Sequence, residues 1–227
     1  MRNLSRGSYG ADVFFLQRML NKRGARPRLV EDGDFGQHTQ NAVTAFQNAN
    51  RIVPANGVAD GRMWQRLGLA VEYEHNVQLY GQPTGMTCWS AAATMMLGNR
   101  QSIGPGSAST GTTGGLLMPI ENIETFLSGL GWRLINNQSA PPVTTFIGAM
   151  GRGPLWLAFE GGAFQHAVVA SAIWSDNTDD GTAMRIHDPW PPGHGTVYGT
   201  TYVNRRVRLR SVRPPRAAMV QYVAAPR

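Results

Sequence analysis

Apolar residues recur at helical spacing near the start of the chain. Val13, Leu16 and Leu20 follow a polar, glycine-bearing lead, Ser5 to Gly10, that places Asp12 in a first turn and predicts a helix. Asp32-Gly33-Asp34-Phe35-Gly36 reads as a turn, and the series Ala42, Val43 and Phe46 after Thr39 predicts a second helix. Beyond another glycine turn at Gly57, Met63, Trp64 and Leu67 predict a short third. Three helices around one small core account for residues 1–70. Residues 68–78 read as a polar joint, with the domain boundary near 71.

Past the joint the pattern changes. Trp89 to Leu97, Ile120 to Leu130 and Val143 to Met150, the last opened by Pro141-Pro142, predict helices. Pro154 to Phe159, His166 to Trp174, Ala183 to His187 and Gly195 to Val203 are apolar or alternating runs bounded by turn residues. Arg206 to Val212 alternates strictly. Helices first and antiparallel strands afterwards predict an α+β domain over residues 71–227. Gly104 to Gly115 reads as an exposed, mobile loop.

Composition narrows the class. With 42% apolar and 15% charged residues, a mainly disordered chain is excluded. No apolar run approaches the roughly 20 residues of a membrane-spanning helix, and the first ten residues lack a secretory signal's pattern, so neither membrane insertion nor a cleavable signal is expected. Lys and Arg number 21 against 14 Asp and Glu, a net +7. Residues 1–70 hold ten basic and five acidic side chains, residues 71–204 four and nine, and the last 23 residues seven arginines and no acid. That distribution suits contact with cell wall, nucleic acid or a membrane surface without choosing among them. No nucleic-acid motif is present. A single cysteine excludes an internal disulfide, leaving it as buried filler or a reactive thiol.

The surroundings of Cys88 favour the reactive thiol. Gln82-Pro83-Thr84-Gly85-Met86-Thr87 delivers Cys88 to the first turn of an apolar helix, where the dipole and free N–H groups favour an anion. A thiolate nucleophile needs a base held by a third group. His166 is the best candidate, because it sits where a glycine-bearing loop enters a buried strand, although a histidine there is often structural. Asp188 ends the next strand, and a hairpin through Ser175 to Thr182 would make it a neighbour of His166. Gln82, six residues before Cys88, offers an amide that could join the Cys88 N–H in an oxyanion hole.

Other candidates point to blander roles. Cys88, His166, His187, Asp188 and His194 are metal-ligand types, but no pair has the spacing of a closed site, and no metal or cofactor is expected. His187 would point away from Asp188, and Trp190 to His194 reads as a rigid turn beside the site. Arg206, Arg208 and Arg210 share one strand face, which reads as solvated or as an edge protected by charge.

Two resemblances join these readings. Residues 4–67 resemble the three-helix peptidoglycan-binding domain of bacterial cell-wall enzymes at Leu4, Gly7, Gly10, Val13, Leu16-Gln17, Leu20, Asp32-Gly33, Phe35-Gly36, Thr39, Ala42-Val43, Phe46-Gln47, Gly57, Trp64 and Leu67. From about residue 76 the chain resembles the papain-like cysteine peptidases, within them the compact bacterial branch of secreted effector proteases and leader-processing peptidases. That rests on Gln82 with Cys88, Cys88-Trp89-Ser90-Ala91-Ala92 with Met95-Met96, His166-Ala167-Val168-Val169, and Asp188-Pro189. The second resemblance implies Cys88 as nucleophile, His166 as general base then acid, Asp188 as orienting partner and Gln82 as oxyanion donor. It departs from papain in having Asp where papain has Asn, and in a shorter domain onto which the usual pocket loops cannot be mapped.

The expected architecture is therefore a three-helix domain over 1–70 joined to a papain-like domain over 71–227, a helical subdomain packed on an antiparallel sheet. The expected activity is thiol-dependent amide hydrolysis directed to the cell wall by an exported antibacterial effector. It would leave its producer without a cleavable signal, act in the periplasm or wall, and have peptidoglycan and a cognate immunity protein as partners. The substrate is left open between protein and wall peptide, and a peptidoglycan amidase or endopeptidase and a non-catalytic wall-binding protein stand as alternatives.

Overall fold

The structure is a computed structural model that describes residues 1–98, 114–117, 119–136, 141–160, 165–203, 206–209 and 216–227. Most of the predicted loop from Gly104 to Gly115, and Arg210 with the end of its alternating run, lie outside the described residues.

The first three helices are α1 (Ala11–Lys22), α2 (Gln37–Ala49) and α3 (Gly61–Leu67). They bury Val13, Leu16, Leu20, Phe35, Val43 and Trp64 around one centre. Two buried glutamines secure the turns between them. Gln17 accepts from the N–H groups of Asp32 and Gly33 and donates to the Asp34 carbonyl. Gln47 accepts from Gly57 and donates to the Val58 carbonyl. Gly33 and Gly57 have φ of 81° and 73°, where a side chain is strained, so glycine and glutamine are required together.

The remaining elements are β1 (Val71–Glu74), α4 (Cys88–Met96), α5 (Ile120–Gly129), β2 (Trp132–Asn136), α6 (Val143–Met150), β3 (Leu155–Glu160), β4 (Gln165–Ser175), β5 (Thr182–Asp188), β6 (Thr196–Val203), β7 (Arg206–Leu209) and β8 (Arg216–Pro226). Their order departs from helices first and strands afterwards, since β1 precedes α4 and β2 separates α5 from α6. The polar joint contains β1, which pairs with β4. The expected sheet is a closed antiparallel barrel, running β4-β3-β8-β7-β6-β5 and returning to β4. Closure depends on β8, which joins β3 to β7 and which the sequence reading did not foresee.

Three layers of contact position the site. Inside the barrel, Leu157, Phe159, Val168, Ile186, Tyr202 and Val220 pack with Phe146 and Met150 of α6. Outside it, Trp156, Ala158, Ala167 and Val169 are covered by α4 and α5. Ala91, Ala92 and Ala93 are fully buried, and these small side chains let α4 lie close against the barrel wall. Farther along the same wall, Ala172, Trp174 and Ala183 share a core cluster with the N-terminal helices. Phe15 stacks between Trp64 and Trp174 at centroid distances of 6.0 and 6.2 Å. Arg18 and Lys22 of α1 pair with Asp180 and Asp176 of the β4–β5 hairpin, each at 2.6 Å.

Candidate active site

Cys88 is the first residue of α4 and is half-buried. The preceding loop is tied to itself: the Thr87 hydroxyl accepts from the Thr84 N–H and donates to the Thr84 carbonyl. Thr87, the N-cap, makes no side-chain bond to the helix, so its hydroxyl does not cap the first-turn N–H groups beside the thiol. Trp89 anchors this turn. Its indole N–H donates to the Gly114 carbonyl, its own carbonyl accepts from Trp156 of β3, and its ring meets Phe126 edge-on at 5.1 Å.

His166 and Asp188 lie on the adjacent strands β4 and β5, joined by a hairpin whose arms pair from Ser175 with Thr182 to Val169 with His187. His166 Nε2 is 2.6 Å from Asp188 Oδ1. The carboxylate only accepts, so Nε2 donates, leaving Nδ1 for the thiol of Cys88, the ring's other hydrogen-bond partner. Burial, the largest single influence, pulls the His166 pKa down. Hydrogen bonds to Asp188 and Cys88, with the negative charge of each, outweigh it and raise the value from 6.5 to about 10. A protonated imidazole is the charge state these contacts favour.

Asp188 is fully buried and accepts hydrogen bonds besides that from His166. Oδ1 also takes the Trp190 N–H at 3.0 Å, and Oδ2 takes the Tyr198 hydroxyl at 3.0 Å. Tyr198 was missed in the sequence. Its signal lies in register alone, since it sits opposite Ile186, two residues before Asp188, and shares a face with it.

Gln82 is also fully buried, fixed by backbone bonds to Pro189 and Gly193. Its Nε2 donates to the Thr84 carbonyl at 2.6 Å, and its Oε1 has no partner among the described residues. The structure brings together Cys88, His166 and Asp188. Gln82, in the loop before α4, is not among the residues that line the pocket at the thiol. That pocket encloses about 50 Å³ and is walled by Met86, Trp89, Leu116 and Trp156, with Gln165 and His166.

His187 points to the other side of the strand and does not join the site. It is buried, both ring nitrogens lack partners among the described residues, and burial with the nearby charge of Arg185 pulls its pKa to about 4. His194 is exposed in the turn that Gly193 ties to Gln82. Arg206 and Arg208 are exposed, whereas Val207 and Leu209 between and after them are buried. None of the helices is long and apolar enough to cross a membrane, among the described residues.

Residues 9–67 match a family described as a putative peptidoglycan binding domain. A crystal structure of a Burkholderia AP3 phage endolysin is similar at 42% sequence identity over 29% of this chain and 24% of that one, with a TM-score of 0.27. The chain therefore spans about a quarter of the endolysin's length. Among curated proteins none matches.

Proposed function

We propose that the protein is a thiol-dependent amide hydrolase of papain-like type, directed to the bacterial cell wall by its N-terminal helices. The observation that carries the reading is the contact sequence Cys88, His166, Asp188, with the thiol at a helix start and the imidazole held by a buried carboxylate 2.6 Å away. The match of residues 9–67 to a putative peptidoglycan binding domain supports the wall as the destination.

In this reaction the Cys88 thiolate attacks an amide carbonyl and its electron pair forms the C–S bond, giving a tetrahedral intermediate. The Cys88 N–H at the start of α4 stabilises the oxyanion, and Gln82, buried with its amide bonded to the Thr84 carbonyl, positions the loop that leads to the thiol. His166 transfers the Nδ1 proton to the departing amine as the C–N bond breaks, leaving a thioester. The neutral ring then takes a proton from water, which attacks the thioester and frees the acid and the thiolate. Asp188 holds the ring through Nε2 in both half-reactions.

Wall peptides and proteins are both amide substrates, and attachment to the wall favours the former. Delivery as an antibacterial effector, with an immunity protein in the producer, completes the proposal and rests on the amino-acid sequence. The test is digestion of purified peptidoglycan and, in parallel, a protein mixture by the wild-type chain and Cys88→Ala, with new termini identified by mass spectrometry. New termini that require Cys88 are expected in one of the two. Their absence from both, with a folded protein, overturns the enzyme reading.

A further inference from the structure

A cleft of about 680 Å³ lies between the N-terminal helical unit and the barrel, within the size range of small-ligand sites. One wall carries Tyr9, Asp32 and Asp34, from the approach to α1 and the glycine turn beyond it. The opposite wall carries Glu74, Arg185 and Val197, from β1, β5 and β6. Neither unit encloses the cleft alone.

Its charge is opposite to that of the chain. Asp12, Asp32, Asp34 and Glu74 face it with only two guanidiniums, those of Arg2 and Arg185. Arg2 is held by Asp12 at 2.5 Å and Arg185 by Glu74 at 3.1 Å. Asp32 and Asp34 are exposed, and neither pairs with a cation among the described residues. A polyanion would meet these carboxylates unfavourably despite the net +7, whereas an ammonium group would be attracted.

The cleft also presents surface suited to a ring. Tyr9 is 80% exposed and Val197 44% exposed, an unusual state for two large apolar side chains facing one cavity. Trp174 lines the cleft while only 1% exposed, and its indole N–H is a buried donor without an acceptor among the described residues.

We propose that this cleft is a composite ligand site for an amino-sugar unit bearing a short peptide with a free amine. The sugar ring lies against Tyr9 and Val197, and the ammonium group meets Asp32 and Asp34. This rests on the wall-directed reading above and adds that the barrel forms half of the binding site.

The test uses the full chain carrying Cys88→Ala, so that the ligand is not consumed. Calorimetry measures binding of a soluble disaccharide tetrapeptide with a free diamino-acid amine, of the same compound with that amine acetylated, and of polyphosphate. The free amine should bind at least tenfold more tightly than the acetylated form, and polyphosphate should not compete. Asp34→Asn, on the helical unit, and Val197→Arg, on the barrel, should each weaken binding at least tenfold. Val197→Gln replaces the latter if thermal melting shows that the arginine variant has lost its fold. Equal binding of both compounds, competition by polyphosphate, no saturable binding, or an unchanged Kd in the folded barrel variant would each overturn the composite site. The hydrolase reading is judged separately, by Cys88-dependent products from the wild-type chain.

Discussion

The hydroxyl of Tyr198 donates to Asp188 Oδ2 at 3.0 Å while the other oxygen of that carboxylate faces His166 at 2.6 Å. Tyr198 thus fixes the rotation of a group that in turn fixes the imidazole. Removing one neutral donor loosens the carboxylate without deleting it, so Tyr198→Phe should lower kcat severalfold and leave KM nearly unchanged. Steady-state kinetics checks this. A loss as large as that of His166→Ala would mean that the hydroxyl has a more direct part.

His166 and Asp188 should separate by severity. His166→Ala removes proton transfer and the partner of the thiol, and should reduce turnover by at least about 100-fold. Asp188→Asn keeps a hydrogen-bonding side chain beside the imidazole and should retain measurable activity, whereas Asp188→Ala should lose more. Iodoacetamide alkylation of Cys88 near neutral pH should slow in the same order, because the imidazolium supports the thiolate. Equal rates in all three variants and the wild type would remove both residues from the mechanism.

The raised His166 pKa sets a direction for pH effects. Its folded value of about 10 exceeds the unperturbed 6.5, so protonation of the ring stabilises the fold fully below 6.5, and that stabilisation is lost as pH rises toward 10. Thermal melts of the wild type should therefore fall over this window more steeply than those of His166→Asn. Hydrolysis should fall on an alkaline limb as the ring loses its proton, and Asp188→Ala should move that limb to lower pH by removing one cause of the raised value. A limb unmoved in Asp188→Ala would show that another group governs it.

Legibility in the sequence followed the physics of burial. The six helices among the described residues were visible because each has an apolar stripe with a polar face or a marked start, as at Val13 to Leu20 or at Pro142 before Val143. The strand β8 was not, because Ala218 to Ala225 contains Val220, Tyr222, Val223 and Ala224 buried on both sides of a barrel wall, and such a run loses alternation. β1 was hidden by Glu72 and Glu74 on a strand at the barrel's margin. Cys88, His166 and Asp188 could be named from local context and one hairpin. Tyr198 could not, since its contact needs the register between β5 and β6.

The seam between the two units is tightly packed where β6 meets α1. A methyl group on Gly199 of β6 would lie 2.9 Å from Cβ and Cγ of Phe14 and 3.0 Å from the Ala11 Cα, and the backbone of α1 cannot yield as a long side chain could. Gly199→Ala should therefore cost about 1–3 kcal/mol by overpacking, read as a lowered melting temperature and faster proteolysis between α3 and β1. The same seam governs separation of the chain near residue 71. Residues 1–70 alone would expose the face of Phe15 that stacks on Trp174, and residues 72–227 alone would expose Trp174 with Ala172 and Ala183 while losing Val71, the first residue paired with β4. Each fragment should melt below the intact chain, and mixing them should restore part of the lost stability. Fragments as stable as the whole, with no association on mixing, would show that the shared core contributes nothing and that the two units are independent beads on one chain.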